Sequence, residues 1–171
     1  MATLKVLLKL LLFLLIILVL AALYIDLRSG HTPPIKDRHG RVLEDSIAVL
    51  EPVEIGGMKQ WVLIRGENCN NPVLLWLHGG PGAAQIPLAR EFNRQLESEF
   101  IVVHWDQRGA GKSNPFNFDE NTMSMEQFIG DTHELTTYLK NRLNKEKIFL
   151  AGHSWGSQLG IQVVHRYPDH Y

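Results

Sequence analysis

The chain has 171 residues, 45% of them hydrophobic, with 17 basic against 18 acidic side chains and a net charge of −1. That balance excludes the electropositive field a nucleic-acid partner needs. A single cysteine, Cys69, excludes an internal disulfide.

From Leu10 to Ile25 run 16 consecutive uncharged, mostly apolar residues, preceded by Lys5 and Lys9. Counted from Leu4, with both lysine stems snorkelling, a helix here reaches about 30 Å and spans a bilayer. No polar face exists to fit it to a globular surface. Residues 1–25 therefore read as a transmembrane signal anchor. Val19-x-Ala21 allows the alternative of a cleaved signal peptide and a secreted product. Either way the lysines mark the cytoplasmic side, and the rest of a single-pass protein lies on the extracytoplasmic side. Residues 26–46 are polar, contain Pro33-Pro34, and read as a linker.

The folded domain is expected over 47–171. Ile47–Ile55 and Met58–Arg65 flank Gly56-Gly57, the two-residue spacing of a hairpin. Cys69 falls in the turn that follows. Asn71–Leu77 is a continuous apolar run suited to a strand buried on both faces. It ends in His78-Gly79-Gly80-Pro81-Gly82, where small residues let a backbone N–H approach a ligand oxygen. A helix is expected over about Ile86–Phe100, then a strand over Ile101–Trp105.

That strand leads into Asp106-Gln107-Arg108-Gly109-Ala110-Gly111-Lys112-Ser113. Gly111-Lys112-Ser113 ends like a phosphate-binding loop, but that pattern requires glycine where Asp106 stands. Nucleotide is thus not an expected ligand. The loop is instead expected to pair internally and brace the neighbouring face. Ser124 and Gln127 form a capping-box pattern opening a helix. Its apolar face is Met125, Phe128, Ile129, Leu135, Leu139 and Leu143. His133-Glu134 begins a zinc-binding helix pattern, but the second histidine position holds Thr137. The other histidines are scattered, so neither a metal nor another cofactor is expected.

The strand Lys147–Ala151 runs straight into Gly152-His153-Ser154-Trp155-Gly156, the Gly-x-Ser-x-Gly pattern of a nucleophile elbow. A serine on a strand-to-helix turn needs small neighbours two before and two after, which Gly152 and Gly156 supply. The backbone N–H of Trp155 would open the next helix and face a developing oxyanion. That helix should run to about Tyr167, with Pro168 ending it. A hairpin followed by alternating strands and helices gives an α/β class: the N-terminal part of an α/β-hydrolase fold, preceded by one transmembrane helix.

Three motifs in this order resemble the prolyl iminopeptidase (proline aminopeptidase) branch of the α/β-hydrolase superfamily. They are His78-Gly79-Gly80-Pro81-Gly82, Asp106-Gln107-Arg108-Gly109-x-Gly111-x-Ser113 and Gly152-x-Ser154-Trp155-Gly156-Ser157. The resemblance covers roughly Ile47 to Tyr171. It implies Ser154 as nucleophile, Gly80 and Trp155 as oxyanion-hole donors, and a peptide or small ester or amide as substrate. One departure is His153, where that branch usually carries glycine.

Only 17 residues follow Ser154. In this fold the acid and the histidine come after the serine, and the resemblance places the substrate-selecting cap there too. His165 would stand about 16 Å down the helix, and His170 further, so neither is expected to take the serine proton. Both are expected to be solvated. The chain is therefore expected to be an inactive N-terminal part of a membrane-anchored serine hydrolase. The alternative is a non-catalytic, membrane-tethered binding protein built on the same half-domain.

Overall fold

A computed structural model describes residues 2–27 and 30–171. The parts of the anchor and linker expectations that fall on Met1, Arg28 and Ser29 lie outside the described residues. Two units are present, 1–30 and 31–171.

The first unit is one helix, α1 (Ala2–Leu27). Within it Leu4–Tyr24 is long and apolar enough to cross a membrane, and every one of those side chains is exposed. At ~1.5 Å per residue this stretch is about 30 Å long, the thickness of the hydrocarbon core.

The second unit is built on a five-stranded sheet of order β1-β2-β4-β3-β5. The hairpin falls where expected: β1 (Ile47–Ile55) pairs antiparallel with β2 (Met58–Gly66). Gly56 and Gly57 have φ of 56° and 74° between them. Two successive left-handed residues make the turn whose twist matches the flanking strands. Next, β3 (Val73–Leu77) and β4 (Ile101–Trp105) run parallel, and β4 also pairs antiparallel with β2. All five β4 residues are buried, as a strand covered on both faces should be.

Helix α2 is shorter than the expected Ile86–Phe100. It spans Ile86–Phe92 and gives way to a 3₁₀ turn at Arg94–Ser98. The tighter turn brings Glu97 inward against Arg65, with Arg65 Nε donating to Oε1 at 2.8 Å. Helix α3 (Met125–Leu143) buries Phe128, Ile129, Leu135 and Leu139, with Met125 and Leu143 half-buried. Ser124 Oγ accepts the N–H of Gln127, but the box does not close, because the Gln127 side chain goes to Asp131.

Strand β5 (Phe149–Gly152) pairs parallel with β3 at the sheet edge, and α4 (Trp155–Arg166) follows it. Phe149 is exposed there, so β5 is not buried like β4. Cys69 is exposed in the β2–β3 loop, its N–H on the carbonyl of Asp45.

The expected linker does not extend to Ser46. Ile35 is buried, and Lys36 bridges Val42 around a turn capped by Asp37. Arg65 Nη1 donates to Thr32 Oγ1 and to the carbonyl of Pro33, both at 2.7 Å. A buried guanidinium needs more acceptors than Glu97 alone provides, and the 31–46 segment supplies them.

Candidate active site

The elbow forms between β5 and α4. Ser154 has φ 54° and ψ −119°, a strained conformation for a residue with a side chain. The flanking glycines permit it. A Cβ on Gly152 would meet the Gly156 carbonyl, and one on Gly156 would meet the Leu77 carbonyl at the end of β3. Both clashes are with backbone, so no side chain could swing aside. Ser154 is exposed, and its side chain makes no capping hydrogen bond to α4.

The first glycine loop lies against the elbow. A Cβ on Gly79 would come within 3.0 Å of Ser154 Cβ and 2.9 Å of His153 Nδ1. The His153 N–H donates to the Leu77 carbonyl at 3.1 Å, tying the start of this loop to the elbow. Gly80 and Gly82 have φ of 56° and 89°, so the loop turns through left-handed positions around Pro81. Among the described residues, no hydrogen bond uses the backbone N–H of Gly80 or Trp155.

The second motif joins this end of the sheet. Asp106, Gln107 and Arg108 are all buried, and each serves a different neighbour. Gln107 meets His78 and Trp155. Asp106 Oδ2 accepts the Lys112 N–H at 3.2 Å, while Oδ1 is buried with no partner among the described residues. Gly111, at φ 49°, lies so close to that carboxylate that a Cβ would strike it. Gly109 donates to the Ser113 carbonyl at 3.0 Å, and Ser113 Oγ accepts the Trp61 N–H at 2.7 Å. Lys112 stands over the Trp61 ring, 4.6 Å from its centre.

The loop pairs internally through Asp106–Lys112 and Gly109–Ser113, but Arg108 pairs outside it. Its partner is Asp131 on α3, at 2.6 Å from Nε and 2.9 Å from Nη2. Gln60 and Gln127 each donate to the same carboxylate at 2.8 Å, and Trp105 Nε1 donates to Gln60 Oε1 at 2.9 Å. The hairpin turn joins in, with the Gly56 carbonyl accepting from Arg108 Nη2 and its N–H reaching Glu134. None of Gln60, Gln127 and Asp131 was among the expected site residues. Asp131 did carry a signal: it is a carboxylate on the apolar stripe of α3, between Phe128 and Leu135.

Burial sets the local proton affinities. Asp106 is pushed up to about 6 by desolvation, against the pull of the Lys112 and Ile86 N–H groups. Desolvation pushes His104 down to about 4, and the neighbouring titratable His78 lowers it further. His78 is lowered by burial as well.

No hydrogen bond among the described residues joins Ser154 to a histidine. His165 is exposed on the last turn of α4. His170 is not simply solvated: half-buried, it lies edge-on to His133 with ring centres 4.9 Å apart and has Lys140 Nζ 3.1 Å from Nδ1.

Residues 70–171 match the serine aminopeptidase S33 family. A probable aminopeptidase of Bacillus subtilis (strain 168) is 45% identical over 124 residues, which are 72% of this chain and 39% of that protein. A probable proline iminopeptidase of Leptolyngbya boryana is 36% identical over 60% of this chain and 30% of its own length. Among solved structures, a proline iminopeptidase-related protein from Thermus thermophilus has a TM-score of 0.60 at 29% identity. That match covers 72% of this chain and 42% of the other. The chain thus spans about a third of the curated relatives it matches. By its sequence match, its sheet order and its elbow, the chain belongs to the serine aminopeptidase S33 family of the α/β-hydrolase fold.

Proposed function

We propose that this domain serves serine hydrolysis of peptide, amide or small ester bonds, with Ser154 as nucleophile. The observation that carries this reading is the strained, exposed Ser154, with Gly152 and Gly156 both packed too tightly for a side chain. Strain of this kind persists only where the surroundings impose it, and it aims the hydroxyl outward. Gly80 and Trp155 would supply the oxyanion-hole N–H groups. Aminopeptidase action is supported by the relatives, several of which are named proline iminopeptidases.

A neutral serine hydroxyl needs an adjacent acceptor to attack a carbonyl. The absence of one among the described residues supports the reading that this chain holds the nucleophile half of the site. A histidine, oriented by a carboxylate, would come from sequence matching the rest of the relatives' length. Fluorophosphonate labelling tests this. The 171-residue chain should label negligibly, a chain extended to the relatives' length should label readily, and Ser154→Ala should abolish that labelling. Removing a triad's members costs on the order of 10⁶ in turnover, so the contrast will be large. Strong Ser154-dependent labelling of the short chain would overturn the half-site reading. Failure of the extended chain to label would favour the non-catalytic binding protein.

We further propose that Leu4–Tyr24 anchors the protein as a single-pass span, with the domain on the extracytoplasmic side. Lys5 and Lys9, within the first turns of the span, are the charges that this orientation places toward the cytoplasm. Carbonate extraction and protease accessibility in sealed vesicles test it. A soluble product lacking α1 would point to signal cleavage, and protease protection inside cytoplasm-enclosing vesicles would reverse the orientation.

A further inference from the structure

The three motifs meet in one side chain, Gln107, which is fully buried and uses both ends of its amide. Its backbone N–H donates to His78 Nε2 at 3.1 Å, and its side-chain NH₂ donates to the His78 carbonyl at 3.3 Å. Its Oε1 accepts the indole N–H of Trp155 at 3.2 Å. Gln107 therefore bridges the first glycine loop to the residue after Ser154.

The bridge also settles how the loop peptide faces. His78 Nε2 accepts a proton donor, so the neutral ring carries its hydrogen on Nδ1. That N–H donates to the Gly79 carbonyl at 3.0 Å. In a trans peptide the C=O of Gly79 and the N–H of Gly80 point in opposite directions. Holding the carbonyl on His78 therefore turns the Gly80 N–H outward from the imidazole. Burial lowers the proton affinity of His78, which keeps the ring in the neutral form this arrangement needs.

We propose that Gln107 is a positioning residue, which holds the Gly80 loop and Trp155 in one frame so that their two backbone N–H groups act as a pair. The inference rests on the oxyanion-hole reading above, but its first test does not need catalysis. Removing the Gln107 side chain should loosen the link between the two donors, while leaving its backbone N–H on His78 and the separate Arg108–Asp131 brace in place.

The test is nitrogen-labelled NMR of the full 171-residue chain in detergent, with Trp155→Phe assigning the Trp155 indole signal. Gln107→Met should move that indole signal and also the backbone amides of Gly79 and Gly80. The Trp105 indole, bonded to Gln60, should stay in place and so reports that the fold is intact. Trp155→Phe alone should shift the Gly80 amide through Gln107, and should add nothing in the Gln107→Met background. Unmoved glycine amides in Gln107→Met, or equal effects of Trp155→Phe in both backgrounds, would overturn the proposal.

A second readout applies in a labelling-competent extended chain. Gln107→Met should lower kcat about ten- to a hundredfold with KM little changed, because the oxyanion donors act on the transition state. A change confined to KM would also overturn the proposal. Coupled amide shifts in a protein that never labels would support the bridge and count against the hydrolase reading.

Discussion

Two buried carboxylates, Asp106 within the loop and Asp131 on α3 against Arg108, are treated in opposite ways. Asp131 receives four hydrogen bonds, two from Arg108 and one each from Gln60 and Gln127. Asp106 Oδ2 receives the Lys112 N–H, and its Oδ1 has no partner among the described residues. Both are almost completely shielded from solvent. A charge removed from water is tolerable only with donors to replace the lost hydration. Asp131 has them and forms a fixed brace between α3, the hairpin turn and the loop. Asp106 lacks them, so its proton affinity rises to about 6. Arg108 is locked in a saturated ion pair, while Asp106, two residues before it, titrates.

The largest effect should follow from breaking the saturated side. Arg108→Met leaves Asp131 buried without its counter-charge and should cost about 3–5 kcal/mol. Replacing both partners with apolar residues, as Arg108→Met with Asp131→Leu, should cost less than the single change. Denaturant unfolding in detergent measures both, and a double variant worse than the single would break the argument.

The titrating side makes a prediction about pH. Asp106 has a folded value of about 6 against the ordinary 3.8, so the folded state holds the proton more tightly. Its contribution therefore falls as pH rises from about 4 to about 6. His104 has a folded value of about 4 against 6.5, so the folded state holds its proton less tightly. Its contribution rises over nearly the same window. Each is worth about 3 kcal/mol at about 1.4 kcal/mol per unit, and the two nearly cancel. Relative to the unsubstituted protein, Asp106→Asn should make stability climb more steeply between pH 4 and 6. His104→Gln should make it climb less, or fall. Parallel pH profiles for the two variants would refute the assignment.

Smaller effects sharpen the contrast. Gln127→Ala removes one of the four donors to Asp131 and should cost about 1.5 kcal/mol, since a hydrogen bond to a charged group is lost while three remain. Ser124→Ala removes the cap of α3 and should cost about 1 kcal/mol. If Gln127→Ala cost no more than Ser124→Ala, the Gln127 side chain would count for little at Asp131. Thermal unfolding of the two variants side by side makes that comparison.

Much of the architecture could be read from local pattern. The hairpin over Ile47–Gly66 follows from two apolar runs around Gly56-Gly57, because only consecutive left-handed residues close that turn. The elbow was legible for the same kind of reason: Gly152 and Gly156 stand where a side chain would strike backbone. Burial on both faces was expected of the apolar run ending at Leu77, yet β3 alternates between buried and half-buried residues, and it is β4, with His104 in it, that is buried throughout. The family likewise follows from three motifs in order, and the match over residues 70–171 agrees with it.

What sequence could not supply was the partner of each polar side chain. Gln127 read as the second half of a capping box, since Ser124 is three residues away, yet it turns to a carboxylate inside the fold. Residues 31–46 read as a tether because they are polar and proline-rich. They are drawn onto the domain because Arg65, buried beside Glu97, needs the oxygens of Thr32 and Pro33. Helix α2 shortens because Glu97 must reach that same arginine.

Backbone steps that depend on apolar period or on the steric needs of glycine are local, and the sequence by itself determined them: the hairpin, the core strands, the capped α3 and the strained Ser154. Which carboxylate is saturated, which is left to titrate, and that Gln107 bridges His78 to Trp155 were decided only by the tertiary structure. A buried polar group is satisfied by whatever donors the fold brings within about 3 Å: Gln127 reaches Asp131 from four positions away, but Arg108 and Gln60 reach it from 23 and 71, and the Gln107 bonds to His78 and Trp155 span 29 and 48.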